Sequence, residues 1–355
     1  MTGKLVSGML VGDRYEVVSY LGEGGMQYVY VARDSITNRM VALKTPKNHS
    51  AEKRFHRSAV VAAKVNHPNV AKTLDYLTFD GSQFLVEELI DGQDLRAALL
   101  QDSEFIDPYL AAKVFHHLAK GVAAAHHAGV IHRDLKPTNV MVIGDYSLLE
   151  IKVTDFGIAK MAEEELLEAV EGGDESLTTS QTAVGALPYM APEAIDTPRS
   201  VGPAADIWSV GAMMFHLLTG DYPFGQGLRA VPKIINAKFP LPPGFLLSNP
   251  QFAPLAMELI QIIRSCLSKD PDARPTADQL VQKCSELCYS NSTRQRGVVD
   301  SYMYNAFGYI ASTDGNVFFH KDCVYGEMPK VGENVIFASY DGGGAPRALP
   351  VVKIR

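Results

Sequence analysis

The chain has 355 residues, of which 46% are hydrophobic and 21% are charged, and its formal net charge is −7. The composition is that of an ordinary globular protein, and the negative balance provides no overall basic field to attract nucleic acid or an anionic membrane surface. No apolar run approaches the roughly 20 residues that cross a bilayer, no long apolar core marks an N-terminal signal peptide, and the four cysteines are too few for a disulfide framework, so we expect a cytoplasmic protein with no membrane partner.

Strand-like and helical segments follow one another in a clear order along the first 290 residues. Runs rich in β-branched and aromatic residues fill residues 15–48 and 70–90, and a helix-forming segment at 51–65 separates them. From residue 92 helical patterns dominate until about Tyr289. Strands followed by helices indicate an α+β fold.

The composition changes after residue 290. A short polar linker at 291–295 leads into residues 296–355, which are rich in glycine, valine and aromatic residues and carry no helical pattern. The sequence therefore predicts a two-lobed body over residues 11–290, the linker, and a small all-β domain at the C-terminal end.

The segment 132–139 reads HRDLKPTN and carries Asp134, Lys136 and Asn139 at fixed spacing. An aspartate here can accept the proton of an attacking hydroxyl, and an asparagine five residues later can hold a metal ion on a phosphate chain. The segment resembles the catalytic loop of protein kinases, H-R-D-L-x-x-x-N, at every fixed position. Lys136 resembles the lysine of Ser/Thr-directed rather than tyrosine-directed kinases.

Further motifs of the same family occur in chain order. Lys44 ends a V-A-L-K segment that resembles the kinase V-A-I-K strand, and Asp155 opens a D-F-G segment. Glu193 ends a segment that resembles A-P-E, and Arg274 resembles the arginine that pairs with it. A segment similar to G-x-G-x-x-G-x-V, with glutamine at the third glycine, would let the backbone approach phosphates closely. Its residues are Gly22, Glu23, Gly24, Gly25, Met26, Gln27, Tyr28 and Val29.

Together these motifs resemble Hanks-type Ser/Thr protein kinases over residues 11–290. The resemblance implies the bilobal kinase fold, with a small β-rich lobe and a large helical lobe, which binds ATP and Mg²⁺ and phosphorylates protein substrates. The further contacts that it implies are Lys44 at the phosphates, Asn139 and Asp155 at the metal, Val29, Ala42 and Met141 at the adenine, and the backbone of Glu88 and Ile90 at the hinge.

A cluster of hydroxyl residues lies between the D-F-G and A-P-E segments. In the family, the arginine before the catalytic aspartate, here Arg133, contacts a phosphate on this part of the chain. We therefore predict autophosphorylation within the cluster, and the alternative is a hydrophilic loop without a regulatory role. Its members are Thr178, Thr179, Ser180 and Thr182.

Three positions depart from the family pattern. The small-lobe helix normally supplies a glutamate to the strand lysine, but Ser58 aligns with that position. Glu87 stands just before the hinge, where kinases usually have an apolar or threonine side chain. An unpaired buried carboxylate is strongly disfavoured, so we hypothesise that Glu87 pairs with Lys44; the alternative is a solvent-facing glutamate after a strand shift. Ala186 replaces a threonine whose hydroxyl bridges the catalytic aspartate and lysine, so we expect the catalytic loop to be braced less firmly.

Residues 296–355 resemble a cold-shock domain, a small OB-type barrel. Residues 305–310 read NAFGYI, similar to K-G-F-G-F-I, and residues 317–320 read VFFH, similar to V-F-V-H. Strand alternation places two side chains of each segment on one face, and in the family such residues stack on single-stranded bases. The candidates are Phe307, Tyr309, Phe318 and His320. Residues 296–355 contain equal numbers of basic and acidic residues, which weakens binding to phosphates. Binding of single-stranded nucleic acid, a protein-docking role and packing of this domain on the kinase lobes therefore all stay open.

The motifs therefore predict a Ser/Thr protein kinase that transfers the γ-phosphate of ATP to a protein hydroxyl and is regulated or localised by its C-terminal domain. Ser58 and Ala186 motivate an alternative, a weakly active or inactive pseudokinase that serves as a nucleotide- and nucleic-acid-binding scaffold. The retention of Asp134, Asn139 and Asp155 favours the kinase.

Overall fold

The structure is a computed structural model that describes residues 5–23, 27–47, 55–56, 59–156, 185–197 and 201–355. Its N-terminal lobe contains an antiparallel sheet in the order β1-β2-β3-β4-β6-β5. The strands are β1 (Leu10–Val11), β2 (Tyr15–Glu23), β3 (Gln27–Asp34), β4 (Arg39–Pro46), β5 (Thr73–Phe79) and β6 (Ser82–Glu88). Helical residues between β4 and β5 include Phe55 and Ala59, which pack against Leu85 of β6.

Alternation along the central strands gives this sheet two different faces. Val41 and Leu43 of β4 and Val86 of β6 belong to an apolar core on one face. Ala42 and Glu87 pair directly across the two strands and point to the opposite face. Lys44, two positions after Ala42, lies on the same second face. This face is directed toward Asp155 of the large lobe.

The large lobe is built mainly of helices. They are α1 (Leu95–Leu100), α2 (Pro108–His127), α3 (Pro192–Asp196), α4 (Ala204–Thr219), α5 (Val231–Asn236), α6 (Ala253–Cys266) and α7 (Ala277–Ser285). Asp107 caps α2, because its carboxylate accepts hydrogen bonds from the backbone N–H groups of Tyr109 and Leu110. Helix α4 is almost entirely buried, which makes it the centre of this lobe.

A small sheet positions the catalytic segments. It has the order β7-β8-β9, with β7 (Gln93–Asp94), β8 (Val140–Ile143) and β9 (Glu150–Val153). The HRDLKPTN segment comes directly before β8, and Asp155 comes directly after β9. Because β8 and β9 pair antiparallel, with Val140 opposite Val153, the two segments emerge at the same edge of the sheet.

The C-terminal part is a closed β-barrel. Its strands are β10 (Arg294–Met303), β11 (Phe307–Ser312), β12 (Gly315–His320), β13 (Val324–Tyr325), β14 (Asn334–Asp341) and β15 (Pro346–Lys353). They follow the order β12-β11-β10-β14-β15-β13, and a pairing between Phe318 and Arg347 closes the ring. Strand β10 begins at Arg294, inside the predicted linker 291–295, because Arg294 already pairs with Ala338.

The barrel packs directly on the large lobe, which is one of the alternatives that the sequence left open. Tyr325 of the barrel inserts into an aromatic cluster of the lobe at centroid distances of 5.2–5.9 Å. The partners of Tyr325 are Phe105, Phe245 and Phe252. Tyr325 is 1% exposed and is part of the same apolar core as the helices.

In the described part of the chain, no helix combines the length and the apolar character that a membrane span requires.

Candidate active site

Lys44 lies between two carboxylates. Its Nζ is 2.5 Å from Glu87 Oε2 and 2.7 Å from Asp155 Oδ1. The Lys44 and Glu87 side chains are 8% and 6% exposed. The contact between Glu87 and Lys44 that the sequence predicts is therefore present, and the Glu87 carboxylate does not face solvent.

The two carboxylates respond differently to the ammonium that they share. Burial raises the pKa of Glu87, and the attraction of Lys44 offsets this only in part. Burial also opposes ionisation of Asp155, but Lys44 and Gln27 more than compensate and lower its pKa. Burial alone would lower the pKa of Lys44, yet the charges of Asp155 and Glu87 reverse this and raise it. Lys44 is thus a charged ammonium, and Glu87 is the group whose ionisation is most costly.

Gln27 makes a contact at this site that the sequence analysis missed. Its Nε2 donates a hydrogen bond to Asp155 Oδ1 at 3.1 Å, and the residue is buried. Gln27 opens β3, where its pairing with Pro46 of β4 holds its backbone in the sheet. The available signal was a long polar side chain at a position where the glycine-rich pattern expects glycine.

The glycine-rich segment is described at its two ends. Gly22 pairs with Val29 and Glu23 pairs with Tyr28 across β2 and β3. The other predicted members, Gly24, Gly25 and Met26, lie outside the described residues. Lys44 stands directly opposite Val29, so the end of this hairpin lies beside the strand lysine.

The predicted adenine contacts come from both lobes. Ala42 is buried in β4, and Met141 is half-buried in β8. The Glu88 N–H donates to the Lys72 carbonyl at 2.9 Å, and the Ile90 carbonyl accepts from Gly92 at 3.0 Å. Those two hinge groups are therefore engaged within the protein, and the predicted base contacts depend on the remaining backbone groups of Glu88 and Ile90.

Asp134 is held by two side chains of its own loop. Lys136 Nζ lies 2.8 Å from Asp134 Oδ2, and Asn139 Nδ2 donates to the same oxygen at 3.0 Å and to the Asp134 carbonyl at 2.8 Å. Ala186 is buried and supplies no hydroxyl. Asn139 and Lys136 thus contact Asp134 directly without a bridging threonine, and the expected loosening of the loop stays a prediction.

Asp206 of α4 holds the backbone of the catalytic loop. Its carboxylate accepts hydrogen bonds from the N–H groups of His132 at 2.8 Å and Arg133 at 2.7 Å. Arg133 has a φ of 67°, a left-handed conformation that is unfavourable for a bulky residue unless its surroundings enforce it. Arg133 also donates to the Val201 carbonyl at 3.4 Å. The sequence analysis missed the contacts of Asp206 with the catalytic loop.

The oxygen groups of Asn139 and Asp155 fit a magnesium ion. Asn139 turns its amide nitrogen toward Asp134, which directs its carbonyl oxygen to the other side, and Asp155 supplies a carboxylate. Mg²⁺ prefers such oxygen ligands and is usually bound through one or two protein groups together with phosphates and water. Within the described residues, no group of three or more His, Cys, Asp or Glu side chains could hold a metal ion. Asn139 and Asp155 would supply two ligands, and Mg²⁺ usually completes its coordination with phosphates and water.

Arg274 and Glu193 form the ion pair that the motif predicts. Arg274 Nη1 and Nη2 donate to the two Glu193 carboxylate oxygens at 2.6 and 2.8 Å, and the arginine side chain is 0% exposed. The pair connects α3, which contains Glu193, to the loop that precedes α7. Ser58 lies outside the described residues. The predicted phosphorylation cluster, which consists of Thr178, Thr179, Ser180 and Thr182, also lies outside them.

The predicted aromatic face of the barrel is present. Phe307 stands opposite His320, and Tyr309 stands opposite Phe318, across β11 and β12. The Phe307 and Phe318 rings stack at 5.7 Å, and the Arg347 guanidinium lies 5.7 Å from the Phe318 ring. The four predicted residues are partly exposed, so they offer one continuous aromatic surface with a cation at its edge.

Known proteins resemble this chain over about four fifths of its length. The probable serine/threonine-protein kinase PknB of Lactococcus lactis is 31% identical over 296 residues, which cover 82% of this chain and 44% of the relative. Serine/threonine-protein kinase PkaA of Streptomyces coelicolor is 31% identical over 77% of this chain and 49% of its own length. The chain thus spans less than half the length of these curated relatives.

A solved structure has the same fold. The kinase domain of Mycobacterium tuberculosis PknI matches with a TM-score of 0.57 at 23% identity, covering 80% of this chain and 99% of that domain. Residues 15–284 match the protein kinase domain family, close to the range that the motifs predict. The chain belongs to the protein kinase family.

Proposed function

We propose that this chain is a Ser/Thr protein kinase that transfers the γ-phosphate of ATP to a hydroxyl of a protein substrate. The observation that carries the proposal is the convergence of Lys44, Asp155, Asn139 and Asp134 in one site. Lys44 contacts Asp155 at 2.7 Å, and Asn139 contacts Asp134 at 3.0 Å. The N–H of Thr154 donates to the Asn139 carbonyl at 2.9 Å, which ties the two pairs together.

Each group has a role that its position supports. Asp134 orients the acceptor hydroxyl and takes its proton, while Asn139 and Lys136 hold its Oδ2 in place. Lys136 also lies close enough to stabilise the transferred phosphoryl group, and Lys44 orients the phosphates of ATP. When bound by Asn139 and Asp155, Mg²⁺ would neutralise charge on the phosphates.

The choice of Ser/Thr rather than tyrosine rests on Lys136 and on the relatives, which are described as serine/threonine kinases. The bracing of Asp134 by Lys136 also favours a catalytic role over a pure scaffold, because a nucleotide-binding scaffold has no need of an oriented base.

Incorporation of radiolabelled phosphate from ATP tests the proposal. Asp134→Asn removes the base while keeping the size of the side chain, and we expect the rate to fall by about 10²–10⁴-fold. Asp145→Asn, the same change at an exposed position, is the matched control and should leave the rate unchanged. Equal labelling of the wild type and Asp134→Asn, with ATP still bound, would favour the nucleotide-binding scaffold.

We further propose that the barrel, as a cold-shock-like module, binds single-stranded nucleic acid through its aromatic face and thereby regulates or localises the kinase in the cytoplasm. The stacked Phe307 and Phe318 rings and the adjoining Arg347 support this. Phe318→Ala should weaken binding of a fluorescent single-stranded oligonucleotide by about 5–150-fold. Val331→Ala, at an exposed apolar position outside β11 and β12, should not. Absence of binding by the wild type would favour a protein-docking surface.

A further inference from the structure

We propose that Glu87 and Gln27 are positioning residues that allow Lys44 and Asp155 to separate when a nucleotide enters, an inference that rests on the proposed kinase function. Glu87 keeps Lys44 in place, and Gln27 keeps Asp155 in place. The four residues form one connected group, in which Lys44 touches both carboxylates and Gln27 touches Asp155.

The need for this arrangement follows from the contact between Lys44 and Asp155. At 2.7 Å the ammonium and the carboxylate neutralise each other, so neither is fully available to a nucleotide. Lys44 has to turn its charge toward phosphates, and Asp155 has to offer its carboxylate to a metal ion. A second partner for each group lowers the cost of breaking their mutual contact.

Glu87 is suited to hold the lysine because the backbone fixes their relation. Lys44 stands opposite Leu85, and Glu87 stands opposite Ala42 in the paired strands β4 and β6, so Lys44 and Glu87 are diagonal neighbours on one face of the sheet. Both are almost fully buried. Because both members belong to the sheet, the pair can remain intact when Lys44 turns away from Asp155.

Gln27 is suited to hold the aspartate because it is neutral. Its amide donates to Asp155 Oδ1, the same oxygen that accepts from Lys44. A neutral donor orients the carboxylate without cancelling its charge, so that charge stays available to a cation. Gln27 also opens β3, within the sequence segment that resembles the phosphate-binding loop of kinases, so we expect the phosphates to enter beside it.

Equilibrium binding of ATP, measured by calorimetry with and without Mg²⁺, tests the proposal without reference to turnover. In Glu87→Gln, Lys44 keeps Asp155 as its charged partner, and the two should remain associated. Metal-free ATP binding should be unchanged or tighter, because the variant removes a carboxylate from a site that receives anionic phosphates. The persisting contact between Lys44 and Asp155 should instead shrink the gain in affinity on adding Mg²⁺ by about 10–100-fold. Glu16→Gln, an exposed glutamate on β2 of the same sheet, is the matched control and should behave as wild type.

Two further variants keep the test decisive. Glu87→Met fills the same space without polar atoms and should reproduce the effect of Glu87→Gln if charge on Glu87 is what matters. Gln27→Ala removes no charge and should reduce the Mg²⁺-dependent gain by about 3–10-fold. Variants that bind ATP as the Glu16→Gln control does, in both conditions, overturn the inference. An equal loss with and without Mg²⁺ also overturns it, because that marks a general defect of the pocket. Failure of the wild type to bind ATP in either condition refutes the proposed function instead.

Discussion

Replacing Arg294 with alanine should weaken the contact between the barrel and the large lobe. The Arg294 guanidinium lies 3.0 Å from the Asp107 carboxylate, and the two side chains are 8% and 2% exposed. Removal of one partner from a buried ion pair typically costs about 3–5 kcal/mol, because the remaining charge has neither water nor a counter-ion. Asp107 keeps its capping bonds at the N-terminus of α2, where an anion is favoured by about 0.3–1 kcal/mol. We therefore expect a loss of about 2–4 kcal/mol in the free energy of unfolding.

Arg296, two residues further along β10, provides a matched control. It pairs with Asp102 of the large lobe at 2.9 Å, but the two side chains are 55% and 35% exposed. Exposed pairs of this kind contribute about 0.2–1 kcal/mol. Arg296→Ala should therefore lose no more than about 1 kcal/mol, although it removes the same type of side chain from the same strand.

Urea titration of the full chain measures the difference. Trp208 is the single tryptophan of the sequence and is fully buried in the large lobe, so its fluorescence reports unfolding of that lobe. Circular dichroism of the strands and helices reports the whole molecule, and coincidence of the two transitions shows that the parts unfold together. Equal losses for the Arg294 and Arg296 variants, within about 0.5 kcal/mol, would refute the reasoning.

Three further predictions concern stability. Arg274→Ala leaves Glu193 without its bidentate partner and should lower the free energy of unfolding, measured in urea, by about 3–5 kcal/mol. The same substitution at an exposed arginine should lower it much less. Burial lowers the pKa of His216 from its ordinary value of 6.5 to about 4. The unfolded chain therefore takes up this proton first as the pH falls, so the contribution of His216 to stability should be constant above pH 6.5 and fall toward pH 4, by about 2–3 kcal/mol. His216→Asn should flatten this part of the pH profile of the free energy of unfolding. An unchanged profile would contradict the assignment. In the described part of the chain, the buried Tyr325 hydroxyl has no hydrogen-bond partner, so Tyr325→Phe should stabilise the chain by about 1–2 kcal/mol in thermal unfolding, and a loss would show that the hydroxyl is satisfied.

The chemical groups of the site could be predicted because they lie in short motifs whose spacing reflects local geometry. Asp134, Lys136 and Asn139 fall within six residues of one loop, and the structure brings their side chains into contact. The contact between Lys44 and Glu87 was also predictable, since strand alternation sets the face of each side chain and a buried carboxylate requires a partner.

Other contacts of the site could not be predicted from local patterns. Gln27 and Asp155 are 128 positions apart, and their hydrogen bond depends on how the two lobes face each other. The contacts that Lys136 and Asn139 make with Asp134, without a hydroxyl at Ala186, also depend on the folded conformation of the loop. The pattern shows that the hydroxyl is missing, but not that Lys136 and Asn139 reach Asp134 directly.

The sequence alone determined the order of strands and helices, the family motifs and the aromatic face of the barrel, because each depends on residues that are neighbours along the chain or alternate along one strand. Only the tertiary structure decided that the barrel is docked on the large lobe, through Tyr325 and Arg294. That interface joins surfaces from distant parts of the chain. Its energy comes from burying aromatic rings and a charge pair together, which no short stretch of residues can encode.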